Sequence, residues 1–182
     1  MRTSVSVLPF KADLLINNRS KNQALKQEGN YLKDDFKSLT SDVPNLTLIL
    51  SSNKDVFEDS FELINSRGKV LAGQKFVFSK YIGSLNHETL VKRLLDIYEL
   101  LTKKAKYSLE ITKLQEKRIK HYITLKQIAK DKTLTSAQRD KALLYQRHFI
   151  EVCDDNIKAV SNSAKSDCDS FEITHNLKKN YI

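Results

Sequence analysis

No glycine or proline follows Gly83 in this 182-residue chain, so the second half contains nothing that would normally interrupt a helix. The chain has only four glycines and two prolines, and five of these six residues lie before position 80. Their distribution predicts an irregular, strand-containing first part and long uninterrupted helices after it. We therefore predict an α+β fold. It comprises a small N-terminal head at residues 1–83, a long antiparallel helical hairpin of coiled-coil type at 84–166, and a polar C-terminal tail at 167–182.

Four strands and one helix are predicted in the head. Residues 3–10 alternate apolar and polar side chains, which is the period of a strand. A hairpin is predicted around Asn65-Ser66-Arg67-Gly68, because the glycine can adopt the positive φ that a tight turn needs. The predicted elements are strands near 3–10, 46–52, 57–65 and 69–79 and a helix near 21–39.

A first long helix is predicted to begin at Ser84 or Asn86, either of which can cap it, and to continue to about Lys130. Bulky apolar residues in its first half are spread too widely for a single stripe, so we expect that half to pack against the head. Beyond Lys103 the apolar residues recur every three or four positions, as a contact between two helices requires, and Arg118 interrupts them. This stripe comprises Tyr107, Ile111, Leu114, Tyr122, Leu125 and Ile128.

A second long helix is predicted after Thr133-Leu134-Thr135-Ser136, which supplies an N-cap. The loop between the helices is short, so the second helix is expected to return antiparallel to the first. Its stripe comprises Ala142, Tyr145, Phe149, Cys153, Ile157, Val160 and Ala164. The residues after 166 are polar with scattered apolar positions, and they suit either a tail that docks on a partner or a final strand through Phe171 and Ile173.

Positive charge is concentrated on the second half of the first helix. The chain carries a net charge of +9, and residues 102–132 contribute +7 of it, with ten Lys or Arg against three acidic residues. On a helix, several of these side chains crowd a face away from the apolar stripe, where they can contact a phosphate backbone, contact an acidic protein groove, or only solvate a coiled coil. The candidate contacts for a polyanion or a partner are Lys106, Lys113, Lys117, Arg118, Lys120 and His121.

The stretch LKQIAKDKTLTSAQRDKALL superficially suggests a helix-turn-helix reader of DNA. Thr133 stands where such a turn usually has glycine, and Arg139 stands where its second helix needs an apolar core residue. The ordinary loop of a helical hairpin is the better interpretation.

No catalytic, cofactor-binding or metal-binding residues are predicted. The four histidines, at positions 87, 121, 148 and 175, are isolated and lack the spacing of metal ligands. Asp154 and Asp155 follow Cys153, but Cys153 falls on the apolar stripe, where a thiol is normally an inert hydrophobe. With Cys168 it allows one disulfide or two reduced thiols, and reduced thiols are expected in a cytosolic chain.

These patterns favour a non-enzymatic assembly or adaptor protein that oligomerises or binds a protein partner through the hairpin. The alternative is a nucleic-acid-binding protein of low specificity that uses the basic segment 103–132. The chain has no apolar run long enough to span a bilayer and no signal-peptide core, so a cytoplasmic protein without membrane contact is expected. Its composition would suit an accessory protein of a virus or mobile element.

Overall fold

The computed structural model of the chain describes residues 13–17, 23–40, 46–53, 58–77 and 86–177. The predicted α+β fold is confirmed, with a four-stranded sheet followed by two long helices that pack on each other. The predicted strand at 3–10 lies outside the described residues. In chain order the elements are β1 (Asp13–Asn17), α1 (Gln23–Leu39), β2 (Leu46–Asn53), β3 (Glu58–Asn65), β4 (Val70–Val77), α2 (His87–Lys130) and α3 (Ser136–Thr174).

The sheet has the strand order β1-β2-β3-β4. β1 runs parallel to β2, and α1 forms the crossover that a parallel pair requires, whereas β2, β3 and β4 pair antiparallel. The sequence analysis did not predict β1. Its sequence, DLLIN, offers one buried leucine, Leu14, and one half-exposed leucine, Leu15, so its pattern alone is too short to identify a strand.

The turn between β3 and β4 has the predicted glycine in the left-handed region, since φ of Gly68 is 73°. Asn65 organises the turn with both its backbone and its side chain. Its Oδ1 accepts hydrogen bonds from the backbone N–H groups of Arg67 and Lys69, each at 3.0 Å, and its carbonyl accepts one from Gly68 at 2.9 Å. The turn is therefore an ordered hairpin closure that depends on one residue with positive φ.

Replacing Gly68 with valine is expected to destabilise the head by about 1–2 kcal/mol, because L-residues disfavour this backbone conformation. A Cβ built at Gly68 meets no atom within 4 Å, so the whole cost would come from the backbone. The free energy of unfolding, measured in denaturant, should change little in the control Ser66→Ala, whose side chain is exposed in the same turn. Equal losses in the two variants would contradict this account of the turn.

The core of the head lies between the sheet, α1 and the first half of α2. The core residues of the sheet and of α1 are at most 1% exposed, and those of α2 are at most 8% exposed. Phe36 of α1 packs edge to face on Tyr98 of α2, with 5.4 Å between ring centroids. The expectation that the first half of α2 packs on the head is therefore confirmed. The core residues are Leu14, Leu48, Leu50, Phe61 and Leu63 of the sheet, Leu32 and Phe36 of α1, and Leu90, Val91, Leu94, Ile97, Tyr98, Leu100 and Leu101 of α2.

Residues 167–177 form neither the predicted tail nor a strand. Instead, α3 continues to Thr174 and then ends in a Schellman motif. Asn176 adopts a φ of 53°, and the backbone N–H groups of Asn176 and Leu177 donate to the carbonyls of Ile173 and Glu172. Phe171 and Leu177 are buried, and that burial is the reason the helix continues beyond the predicted end. Glu172 is also buried and accepts a hydrogen bond from Gln74 of β4 at 3.2 Å.

The chain divides into two compact units, and both long helices contribute to each. One unit, the head unit, comprises residues 1–103 and 170–182, and the other, the hairpin unit, comprises residues 104–169. The head unit is thus larger than the predicted head, because it includes the first 17 residues of α2 and the last five of α3. At 1.5 Å per residue, α2 is about 66 Å long and α3 about 58 Å.

Candidate interaction surface on the hairpin unit

The loop that joins α2 to α3 is held by side chains that the sequence places at both helix ends. Thr135 is the N-cap of α3, and with Gln138 it forms a capping box, in which the Thr135 hydroxyl accepts from the Gln138 N–H at 3.3 Å and Gln138 Oε1 accepts from the Thr135 N–H at 3.1 Å. Hydrogen bonds from the hydroxyl and backbone N–H of Thr133 lower the pKa of the Asp131 carboxyl. Arg139 donates from Nη2 to the carbonyls of Asp131 and Leu134. Arg139 therefore belongs to the closure of a helical hairpin.

The seam between the two helices of this unit is antiparallel and partly polar. Tyr107 donates from its hydroxyl to Asp167 Oδ2 at 3.2 Å, and Arg118 Nε lies 2.8 Å from Asp154 Oδ1. Apolar seam residues such as Leu114 are only half-buried. Within residues 104–169, all of which the structure describes, the buried residues are Cys153 and Cys168.

Two tyrosines predicted for the seam are not buried in it. Tyr122 is 51% exposed and lies under the Lys126 ammonium, which is 5.0 Å from the ring centroid. Tyr145 is 59% exposed. At 3.6 residues per turn, each tyrosine lies to one side of the line along which the two helices touch. A contact between only two helices has no third element that would cover these side chains.

The six predicted polyanion contacts fall into two groups. Arg118 lies in the seam ion pair with Asp154, and His121 donates from Nδ1 to Gln146 Oε1 at 2.8 Å. The other four are exposed and form no ion pair with any residue that the structure describes. At 100° per residue they lie within roughly 60° of one another around α2. We call this group, Lys106, Lys113, Lys117 and Lys120, the lysine ridge.

An aromatic cluster lies beside the lysine ridge. The His121 ring stacks on Phe149 of α3 with 5.0 Å between centroids and 11° between planes. Tyr145 and His148 contact the same Phe149 ring edge to face, at 4.6 Å and 5.7 Å. Because Lys117 precedes His121 by one helical turn, the cluster and the ridge share a side of the unit. The sequence analysis missed this group of four rings, since it depends on the register between α2 and α3.

A second apolar stripe follows α2 on the side opposite the seam. Large aliphatic side chains at Leu109, Ile119 and Ile123 are each more than half exposed. Together with neighbouring positions they continue the alternation of three and four residues that helix contacts use. This outer stripe comprises Ala105, Leu109, Thr112, Glu116, Ile119 and Ile123.

The described residues contain no group of three or more His, Cys, Asp or Glu side chains that could hold a metal ion. Cys153 and Cys168 both lie on α3, about 22 Å apart along its axis, so they cannot form a disulfide with each other. Burial raises the pKa of Asp96 in the head unit, and His175, 4.0 Å away, partly opposes this shift. No helix in the described part of the chain combines the length and apolarity needed to cross a membrane.

In architecture, the protein is an α+β head unit joined to an antiparallel helical hairpin. No protein-family model matches the chain, and no curated protein or solved structure is significantly similar to it.

Proposed function

We propose that this protein is a non-enzymatic assembly or adaptor protein that associates with a second copy of itself, or with a helix of a protein partner, through the outer stripe of α2. The observation that supports this proposal is the exposure of large aliphatic side chains, including Ile119 and Ile123, along a stripe with the spacing of a helix contact. Clusters of exposed apolar side chains on a surface usually mark a contact with another molecule.

The order of residues in the outer stripe favours self-association. A two-fold symmetric contact must be self-complementary. Consider two antiparallel α2 helices that pack through their outer stripes, with the two-fold axis at the height of residue 114 along the helix. Leu109 then faces Ile119 of the second copy, Ala105 faces Ile123, and Thr112 faces Glu116. In two of these three pairings apolar residues meet apolar residues, and in the third, at the centre of the contact, the acidic Glu116 side chain meets the Thr112 hydroxyl.

The mass of the full chain in solution tests this proposal. Light scattering after gel filtration is expected to give about twice the monomer mass of 20.9 kDa at high concentration. The double variant Ile119→Ser, Ile123→Ser should be monomeric, whereas Leu144→Ser, which removes a still more exposed leucine from α3, should behave as the wild type. Association should strengthen with added salt, because salt screens the repulsion between the two lysine ridges. A wild-type chain that stays monomeric at every concentration would rule out self-association.

A second candidate function is low-specificity binding of nucleic acid. It is favoured by the lysine ridge, whose four ammonium groups are exposed and make no ion pair with the described residues. A row of such charges along a helix can neutralise successive phosphates and release their counterions. In contrast to self-association, this binding should weaken as salt is added.

A further inference from the structure

We propose that the lysine ridge and the aromatic cluster form one binding surface for single-stranded nucleic acid, with phosphates along the ridge and bases stacked on Tyr145 and His148. This inference rests on the second candidate function and narrows it to one kind of nucleic acid and to additional residues. Sequence-independent binding of single strands typically combines a basic track for the backbone with aromatic rings on which bases stack.

The two halves of the surface are brought together by His121. It follows Lys117 by one turn and Lys120 directly, so it lies at the edge of the ridge. Its ring stacks on Phe149, which in turn contacts Tyr145 and His148. The Nδ1 hydrogen bond to Gln146 holds the His121 ring in this position.

Tyr145 has the properties of a stacking platform. The edge-to-face contact with Phe149 restricts its ring, yet 59% of the residue remains exposed. An aromatic side chain held in place on the surface loses little conformational freedom when a base stacks on it. Lys141, one turn before Tyr145 on α3, is also exposed and adds positive charge beside the ring.

The aromatic cluster favours a single strand over a duplex. Bases in a duplex stack on one another and present only their edges in the grooves, so a duplex can use the ridge but not the cluster. A single strand can use both. An acidic protein segment would likewise use the ridge alone, since it has no bases to stack.

Tyr122 serves as the control position for substitutions of Tyr145. It is 51% exposed on the same unit, but it lies about 140° around α2 from Lys117 and contacts Lys126. Substituting either tyrosine should leave the fold intact, because neither side chain is buried. Circular dichroism melting of each variant checks this.

The experiment measures fluorescence anisotropy of the full chain with labelled oligo(dT), labelled oligo(rU) and a labelled DNA duplex of equal charge, at about 50 mM salt. Tyr145→Ala is expected to weaken binding of both single strands by about tenfold, and Tyr145→Phe should retain it, because stacking needs the ring and not the hydroxyl. Tyr122→Ala should bind as the wild type does, and duplex affinity should not respond to Tyr145→Ala.

The outcomes separate this inference from the function on which it rests. If single strands and duplex bind equally and Tyr145→Ala changes neither, the stacking surface is wrong while nucleic-acid binding by the ridge stands. If no nucleic acid binds, both are wrong. Poly-glutamate tests whether negative charge alone is recognised. The inference is overturned if poly-glutamate displaces every oligonucleotide from the wild type, and if both poly-glutamate and the oligonucleotides bind Tyr145→Ala with the affinity that they have for the wild type.

Discussion

Replacing Lys113, Lys117 and Lys120 with glutamate is expected to reduce the affinity of the chain for nucleic acid by at least about a hundredfold without unfolding it. Each substitution would remove one of the proposed phosphate contacts and place a negative charge beside the nucleic-acid backbone. The three side chains are exposed, lie away from the seam, and form no ion pair with the described residues, so the hairpin should lose little stability.

The salt dependence of nucleic-acid binding measures how many lysines of the ridge neutralise phosphates. With four ridge lysines each neutralising one phosphate of a single strand, log affinity should fall with log salt at a slope of roughly −3 in the wild type. The triple variant should have a slope close to zero. A charge-matched control, Lys126→Glu, Lys130→Glu and Lys165→Glu, changes the net charge equally at exposed lysines off the ridge.

The control decides whether position or total charge matters. If the control loses as much affinity as the ridge variant, the binding is a property of net charge and the ridge is not a site. If the ridge variant instead loses an acidic protein partner, chiefly through a slower association rate, and nucleic-acid binding is unaffected, the ridge serves that partner. If it keeps every interaction of the wild type, the charge of the ridge serves only solvation.

Replacing Phe36 with alanine is expected to lower the free energy of unfolding of the head unit by about 3–5 kcal/mol. Phe36 is fully buried, and its ring packs edge to face on Tyr98, so the substitution leaves a cavity where α1 meets α2. A small domain typically has about 5–15 kcal/mol of stability in total, so this loss would be a large share of it.

The matched control is Tyr31→Ala in the same helix, whose side chain is 72% exposed. It should change the free energy of unfolding by less than about 0.5 kcal/mol. Urea unfolding followed by far-ultraviolet circular dichroism gives both values. A loss below about 1 kcal/mol for Phe36→Ala would mean that α1 does not pack on the core as described.

Local chemistry explains which elements could be predicted from the sequence. The strands at 46–53, 58–65 and 70–77 have clear apolar patterns, and Gly68 marks the turn between the last two because it can take positive φ. The helix ends follow from caps, with Asn86 accepting from the Thr89 N–H at 2.9 Å and Thr135 capping α3. Between these ends no glycine or proline interrupts either helix.

The sequence by itself therefore determined the class of fold, the two long helices and the concentration of charge on one of them, because each depends on residues close together in the chain. Only the tertiary structure decided which side chains meet. The pairing of β1 with β2, the extension of α3 into the head unit, and the contact of His121 with Phe149 join residues at least 28 positions apart or depend on burial by other elements. An apolar stripe predicts that two helices pack but leaves their register open, and the register assigns Arg118 to an ion pair and Tyr145 to the surface.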